Sequence, residues 1–336
     1  FNNIDESGLY SHFTNATPSP SMLLWAPGRE ADHERVTAGM RAIEAGFDHI
    51  RRQGRGAFKA HAKRDAIASP SPIARLGFDT AEGDKTPDSV LAQSAELKDG
   101  VVLDSSPGAR GRYARFSGDN AAVHPAVRTF GRTDAFSLAL RLQPTELQDR
   151  AVIVHQSRAW SDAGSRGFEL TLDHGRVFFG LIHFWPGNAI AVRSRLPLAL
   201  NVWSSLVVTY DGSSRAAGIA IYLNGVRLAV DVVRDHLYKD ITYDRAPGDN
   251  VNEEPRLTIG ARFRDSGFKN GLLDDLQVFD TSLTGAEVAV AAGLKPGGDA
   301  QFDHFLVREY QPYVSALARV RALRIEENAL IAHVPE

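Results

Sequence analysis

The sequence predicts an all-β protein, a single β-sandwich with a helical segment at each end of the chain. Between residues 72 and 294, many short segments alternate apolar and polar residues, with turn residues at close intervals, which is typical of a sandwich or barrel. On either side, apolar residues recur at spacings of three and four, which is typical of amphipathic helices. We therefore predict an extended segment over residues 1–28, a helical segment over 29–71, the sandwich over 72–294 and a second helical segment over 295–336.

The first helix is predicted from Arg29 to about Arg64, between Pro27-Gly28 and the Pro-rich end of that segment. Its one apolar seam consists of Val36, Met40, Ile43, Phe47 and Ile50. The C-terminal seam consists of Leu306, Tyr310, Tyr313, Leu317 and Val320. Pro312 interrupts that seam and should kink or restart the helix. Because a lone amphipathic helix is marginal in water, we expect the two helices to form an antiparallel pair. The alternative is that each docks separately on the sandwich.

The strands are predicted from alternating or short apolar runs. These are Tyr113–Phe116, Phe136–Leu142, Ala151–His155, Phe168–Leu172, Arg176–Gly180, Trp203–Tyr210, Ile219–Leu223, Val226–Val230, Leu257–Ile259 and Leu276–Phe279. Asn224-Gly225 separates two of them and suits a two-residue hairpin, because both residues tolerate positive φ.

Composition excludes several functions. The 336 residues contain no cysteine, which removes disulfides, thiolate zinc sites and covalent haem attachment. A net charge of −3 without long basic clusters disfavours nucleic-acid binding. No run approaches about 18 apolar residues, so no membrane span is expected. Because the chain begins at Phe1 and not at Met, we expect a processed product or a fragment.

Four segments occur in an order that resembles a known family. They are Trp203–Gly212, Ile221–Gly225, Leu257–Gly260 and Gly271–Val288, the last reading Gly-Leu-Leu-Asp-Asp-Leu-Gln-Val-Phe-Asp and continuing to Leu-Thr-Gly-Ala-Glu-Val. Each is weak alone, but together they resemble the laminin-G-like branch of the concanavalin A-like lectin/glucanase superfamily. The resemblance implies a jelly-roll β-sandwich.

A narrower resemblance covers nearly the whole chain. Phe1–Thr14, His183–Ile190, Val207–Gly218, Val233–Ile241 and Leu323–Leu330 resemble planctomycete-type multidomain proteins. In that family a cytochrome c-like module and a further domain precede this stretch, and another domain follows it. The resemblance implies neighbouring domains in the same polypeptide and an extracytoplasmic (periplasmic or secreted) location. The haem-attachment motif is missing from this sequence, so no haem is expected here.

Glycoside hydrolysis, the reaction of related glucanases, is disfavoured by the spacing of the acids. Retaining enzymes hold two carboxylates about 5–5.5 Å apart, which on a strand requires acids on the same face. The pairs Glu253-Glu254 and Asp274-Asp275 are adjacent and would face opposite sides. No Gly-x-Ser-x-Gly or His-x-x-x-His motif is present. The sequence therefore predicts a protein that is not an enzyme.

Calcium is the ion that the laminin-G-like resemblance implies, held at the rim of the sandwich by carboxylates and backbone carbonyls. Calcium takes six to eight oxygen ligands. The candidates are Asp119 and Asn120 after the strand that begins at Tyr113, and Asp274 and Asp275. The alternatives are that the first pair is a turn signal, and that one of the second pair brackets a turn while the other is solvated.

The loop His183-Phe-Trp-Pro-Gly-Asn188 is the candidate ligand site. An exposed Trp185 can stack on a sugar face while His183 and Asn188 hydrogen-bond it. Arg193 and Arg195 follow on one face of the next strand and can hold a sulfate or carboxylate. The alternative is that the aromatic residues of this loop fill the core and that the arginines lie on a solvated face. Residues 211–218 and 233–241 are predicted as neighbouring loops.

The leading hypothesis is a non-catalytic, lectin-like module that binds a polysaccharide within a larger extracytoplasmic protein. The alternative is a structural spacer that positions neighbouring domains and binds no small ligand. A third hypothesis, an enzyme with an unfamiliar site, needs the carboxylates Asp244, Asp249, Glu253 and Glu254 to converge on His236.

Overall fold

The computed structural model describes residues 22–60, 67–106, 109–158, 166–243, 255–332 and 334–335. The chain forms two compact units. The first contains Ser71–Leu223 and Leu228–Ser282, and the second contains Met22–Pro70, Asn224–Arg227 and Leu283–Glu336. The first unit is the sandwich and the second is mostly helical.

The strands are short and closely spaced. They are β1 (Ala74–Leu76), β2 (Lys85–Thr86), β3 (Ala95–Lys98), β4 (Val102–Asp104), β5 (Tyr113–Arg115), β6 (Ala121–His124), β7 (Phe136–Gln143), β8 (Arg150–Ser157), β9 (Gly167–Asp173), β10 (Arg176–Phe184), β11 (Asn188–Pro197), β12 (Ser204–Tyr210), β13 (Ile219–Leu223), β14 (Val226–Arg227), β15 (Val230–His236), β16 (Leu257–Ile259) and β17 (Leu272–Phe279).

The strands of the first unit form two sheets. One has the order β13-β12-β7-β17-β5-β4, with β1 also paired to β17. The other has the order β15-β11-β10-β9-β8-β16-β6-β3-β2, so that β15 forms one of its edges. Neighbouring strands are antiparallel in both sheets. The predicted fold class, an all-β sandwich with helices at the ends of the chain, is confirmed.

The core lies between the two sheets and is rich in aromatic rings. Phe136 stacks on Phe130 with 4.5 Å between ring centroids, and it contacts Phe168 at 5.1 Å and Tyr210 at 5.8 Å. Rings of this size bury more apolar area than aliphatic side chains do. The Tyr210 hydroxyl donates to the Arg132 carbonyl, which satisfies the polar end of a buried side chain.

The helical unit contains α1 (Arg29–Ala60), α2 (Gly285–Ala291), α3 (Gly298–Arg308) and α4 (Gln311–Ala332). Contacts between α1 and α4 run in opposite directions along the two helices, because Arg35 pairs with Glu326 at 2.8 Å while Phe47 lies 5.0 Å from Tyr313. The predicted antiparallel pair is confirmed. Pro312 is the second residue of α4, so it restarts the helix as expected. Within the described ranges, no helix is long and apolar enough to cross a membrane.

Two predictions about the end of the sandwich were wrong. The predicted strand Val226–Val230 is broken, because β14 ends at Arg227 and Val230 already belongs to β15 in the other sheet. The predicted loop 233–241 begins as a strand, since β15 continues to His236 and pairs with β11. One apolar run is therefore the crossover between the two sheets. The predicted extended segment 1–28 lies mostly outside the described residues.

Candidate functional site

Trp185 lies at the turn between β10 and β11, two neighbouring strands of the nine-stranded sheet. β10 ends at Phe184 and β11 begins at Asn188, and the Trp185–Pro186 peptide is cis. The Trp185 side chain is half-buried and is not part of the sandwich core. Its ring meets Phe178 edge-on, with 6.0 Å between centroids. Part of the Trp185 side chain is therefore accessible at the surface.

A row of cross-strand neighbours runs from β15 to β8 on the face of the sheet that points away from the core. In this row Arg234, Ala191, Gly180, Glu169 and then His155 on β8 are cross-strand neighbours. The guanidinium of Arg234 lies 5.3 Å from the centre of the Trp185 ring, a cation–π contact.

His183 and Asn188 are buried and hold the neighbouring loop in place. The His183 ring bonds the Asp240 carbonyl through Nδ1, and Asn188 Oδ1 accepts backbone N–H groups from Tyr238 at 3.0 Å and Lys239 at 3.4 Å. The structure thus brings both predicted residues next to Trp185, but as groups that position residues 238–240. Their contribution to a ligand site is indirect.

The surroundings of His183 are positively charged. Burial lowers the pKa of His183 well below its usual value, and the charges of Arg166, Lys239 and Arg132 lower it further. The Asp240 carbonyl opposes this shift by accepting a hydrogen bond. Arg166 Nη2 donates to His183 Nε2 at 3.3 Å. The imidazole is therefore neutral, and three cations lie near the hairpin.

Arg193 and Arg195 both lie on β11, as predicted, but each has a carboxylate partner. Arg193 pairs with Asp173, and Arg195 Nε lies 2.9 Å from Asp231. Arg193 is the cross-strand neighbour of Phe178, whose ring contacts Trp185, and Arg195 lies two residues further along β11. The structure thus places Arg193 near Trp185, with its guanidinium paired to Asp173.

Two residues that the sequence did not single out as ligands lie beside Trp185. His236, the last residue of β15, is exposed and its Nδ1 donates to the Gly187 carbonyl at 2.8 Å. Tyr238 is half-buried, with its ring 5.1 Å from that of His236. We call Trp185, Arg234, His236 and Tyr238 the Trp185 surface. The sequence signal that could have found it is the alternation of aromatic and basic residues over 234–239.

A buried charge cluster occupies the same face of the sheet beyond Gly180. It consists of Arg150, Glu169, Arg262 and Asp265. Arg262 Nη2 lies 2.7 Å from Glu169, and Arg150 contacts Glu169 at 3.2 Å and Asp265 at 2.8 Å. Burial alone would raise the pKa of Asp265, but hydrogen bonds from Arg150 and the charges of both arginines outweigh it and the pKa is lowered. The Asp265 carboxylate is therefore charged near neutral pH, and the four side chains form a buried ion network.

His155 and Ser157 adjoin this cluster. His155 Nδ1 lies 3.1 Å from Ser157 Oγ, and Arg262 Nη1 donates to the same oxygen at 2.9 Å. Burial, reinforced by the charge of Arg262, lowers the pKa of His155 to about 3. A base of that strength takes up no proton near neutral pH. The acids proposed for the unfamiliar enzyme site, Asp244 to Glu254, lie outside the described residues.

The candidate calcium ligands are engaged by N–H donors. Asn120 Oδ1 accepts the Ser117 N–H at 2.8 Å, a turn contact, and Asp119 is exposed. Asp275 Oδ1 accepts from Arg75 Nε at 2.9 Å. Asp274 lies at a bulge of β17, 3.5 Å from the guanidinium of Arg141. No group of three or more His, Cys, Asp or Glu side chains suited to a metal occurs among the described residues.

Asp274 is nearly enclosed, with 3% of its side chain exposed. Burial raises its pKa to about 6, against the opposing hydrogen bond from the Asp275 N–H and the charge of Arg141. Arg141 in turn lies 5.1 Å from the Trp203 ring, which meets Tyr113 at 5.3 Å. The residues at this bulge thus form a compact cluster of an acid, a cation and two rings. The geometry adds no support for calcium, which stays a prediction of the resemblance.

The fold and the Trp185 surface define an antiparallel two-sheet sandwich with an aromatic, cationic hairpin at its surface. A laminin-G family model of the concanavalin A-like lectin/glucanases superfamily matches residues 116–289, just over half of the chain. The chain therefore belongs to this family. No match was found among curated proteins.

Solved structures resemble the chain at low identity. The binding domain of Paraclostridial Mosquitocidal Protein 1 is 14% identical with a TM-score of 0.46, over 66% of this chain and 52% of that one. Domain 4 of AbnA, an extracellular arabinanase from Geobacillus stearothermophilus in complex with arabinotriose, is 17% identical with a TM-score of 0.44, over 67% and 100%. Trypanosoma rangeli sialidase in complex with sialic acid is 11% identical with a TM-score of 0.46, over 76% and 38%. The chain spans about half the length of the first of these, and likenesses this weak carry no argument about ligands.

Proposed function

We propose that the protein is a non-catalytic, lectin-like module that binds carbohydrate at the Trp185 surface. The observation that carries the proposal is the position of Trp185, half-buried at a hairpin turn and outside the core. An aromatic ring at the surface offers an apolar face to the C–H groups of a sugar ring, and neighbouring polar groups can bond its hydroxyls. Arg234, His236 and Tyr238 supply such groups.

The fit of this surface depends on buried supports. His183 and Asn188 hold residues 238–240 through one carbonyl and two backbone N–H groups. Because a binding surface gains affinity when its groups are already in place, these two residues act as positioning residues. The buried charge cluster supports the non-catalytic part of the proposal, because Glu169 and Asp265 are both paired with arginines.

The proposal includes the setting that the resemblance implies. The module is an extracytoplasmic part of a larger polypeptide of the planctomycete type, with neighbouring domains on either side. Calcium at the rim is a separate proposal. If the melting temperature after dialysis against a chelator is the same with and without added calcium, the calcium proposal is contradicted.

A glycan array, followed by titration calorimetry with the polysaccharides that score, tests the carbohydrate proposal. We expect binding tighter than millimolar, and we expect Trp185→Ala to weaken it about tenfold or more, since stacked aromatic residues dominate such interfaces. Phe263→Ala is the matched control, because Phe263 is 70% exposed elsewhere on the sandwich. Absence of any ligand below millimolar, or equal losses in both variants, contradicts the proposal.

A structural spacer is the second candidate, favoured by one observation. The Leu24 N–H donates to the Pro335 carbonyl at 2.8 Å, so the described residues nearest the two ends of the chain are side by side. A domain whose two chain ends lie close together can be inserted into a longer polypeptide without changing the path of the flanking segments. This function predicts no glycan binding at all, so the same titration separates the two candidates.

A further inference from the structure

The charges around the Trp185 surface identify the class of carbohydrate, an inference that rests on the proposed function. We propose that the site takes a polysaccharide that carries ionised groups, and that Arg234 is the residue that contacts them.

Arg234 differs from its neighbours in lacking an acidic partner. On the paired strands β11 and β15, Arg193 contacts Asp173 and Arg195 contacts Asp231. Arg234 is exposed, donates to its neighbouring Val233 carbonyl at 2.8 Å and lies over Trp185. Within the described ranges it has no carboxylate within ion-pair distance. Its positive charge is therefore available to a ligand.

Two described carboxylates near the Trp185 surface accept hydrogen bonds from backbone groups. Asp235 accepts the Ala216 N–H at 2.7 Å. Asp240 accepts the N–H groups of Arg132 at 2.9 Å and Ile241 at 2.7 Å. Arg166, Lys239 and Arg132 lie close enough to lower the pKa of His183, so several cations accompany Arg234 among the described residues beside the hairpin. An anionic ligand is attracted to such a site and a cationic one is repelled.

The contact between Arg234 and Trp185 suits a sugar that carries a carboxylate or a sulfate. A guanidinium held against an aromatic ring keeps its planar set of N–H donors, which match the two oxygens of such a group. A neutral sugar can use the ring and the hydroxyl contacts but gains nothing from the charge. The preference for the charged polymer is therefore expected to depend on Arg234, and the binding common to both polymers on Trp185.

Two matched polymer pairs test this inference with the full chain. Polygalacturonate carries ionised carboxylates where its fully methyl-esterified form carries neutral methyl esters, and dextran sulfate carries sulfate groups that dextran lacks. We expect at least one charged polymer to bind about tenfold more tightly than its neutral partner at low salt, with the difference shrinking as NaCl is added. The pair that shows the difference tells a carboxylate ligand from a sulfate ligand. Equal binding within both pairs would overturn the inference.

Four variants separate this inference from the proposed function. Arg234→Gln should remove most of the charge preference and leave binding of the neutral polymer within about twofold, whereas Arg234→Lys should keep part of the preference. Arg195→Gln is the control and should keep all of it, because Arg195 already has a partner. Trp185→Ala should weaken both members of a pair. A charge preference that survives Arg234→Gln refutes the inference alone, while binding that survives Trp185→Ala refutes the proposed function.

Discussion

Removing the Arg262 guanidinium should destabilise the sandwich strongly. Only 1% of the Arg262 side chain is exposed, and it contacts Glu169, Asp265 and Ser157. In Arg262→Met the side chain keeps much of its volume, but two buried carboxylates and a buried hydroxyl lose a donor. Arg150 remains in contact with both carboxylates and offsets part of the loss.

Breaking a buried ion pair by removing one partner costs about 3–5 kcal/mol. Because Arg150 remains, we expect Arg262→Met to lower the free energy of unfolding by about 3 kcal/mol. The matched control is Arg195→Met, whose pair with Asp231 is 63% and 49% exposed on the two sides. An exposed pair contributes about 0–1 kcal/mol, so the control should unfold nearly as the unchanged protein does.

Urea unfolding followed by near-ultraviolet circular dichroism measures both variants, since the aromatic core of the sandwich dominates that signal. Arg262→Met/Glu169→Gln should be more stable than Arg262→Met alone, because it removes one of the uncompensated charges. The stabilising role of Arg262 is refuted if Arg262→Met lowers the free energy of unfolding no more than Arg195→Met does. It is also refuted if the double variant is less stable than Arg262→Met, because Arg262 would then not stabilise the buried carboxylates.

Three further outcomes are expected. The folded-state pKa of Asp274, about 6, lies above its ordinary value of 3.8. Between pH 4 and 6 the folded protein therefore keeps a proton that the unfolded chain has lost, so the free energy of unfolding falls as pH rises through that range. Asp274→Asn removes this loss, so between pH 4.5 and 7.5 its free energy of unfolding should rise relative to that of the unchanged protein by up to about 3 kcal/mol. Asn188→Ala should cost about 1–3 kcal/mol, because two N–H groups lose their acceptor, and should weaken glycan binding. Phe58→Ala should cost the helical unit about 3–5 kcal/mol, since its ring contacts Phe302 at 5.3 Å, which far-ultraviolet melting would detect.

Each of these outcomes has its control. For Asp275→Asn, the difference in free energy of unfolding from the unchanged protein should not increase comparably with pH, because Asp275 is partly exposed and paired with Arg75. For Asn188→Ala, unchanged binding would show that the loop keeps its position without the side chain. For Phe58→Ala, a cost equal to that of an exposed alanine replacement, such as Leu147→Ala, would refute the packing argument.

The fold could be predicted from the sequence because its signals are local. Alternating apolar and polar residues predict β7, β9 and β12, and apolar residues at spacings of three and four predict α1 and α4. The crossover at Val226–Val230 could not be predicted, since a continuous apolar run does not show where a chain leaves one sheet for another. Leu228 still donates its N–H to Ile221 before the chain joins β15.

The candidate site could be predicted only in part. Trp185 was found because a tryptophan beside proline and glycine marks a turn. The positioning roles of His183 and Asn188 could not be predicted from the sequence, because their partners Asp240 and Tyr238 lie about 50 residues further along the chain. Arg193 and Arg195 looked available because the sequence does not reveal their cross-strand acids. Arg234 was overlooked for the opposite reason, since its lack of a partner is visible only in three dimensions.

The exposed edge of the nine-stranded sheet has a consequence for how the protein behaves at high concentration. Among the described strands, β15 pairs only with β11, and such an edge can recruit a strand from another molecule. Charged side chains at Asp231, Arg234 and Asp235 make that pairing unfavourable. Arg234 is thus expected to protect the protein against aggregation as well as to contact the ligand. Any variant that neutralises it should be checked for monodispersity before a loss of binding is attributed to the sugar.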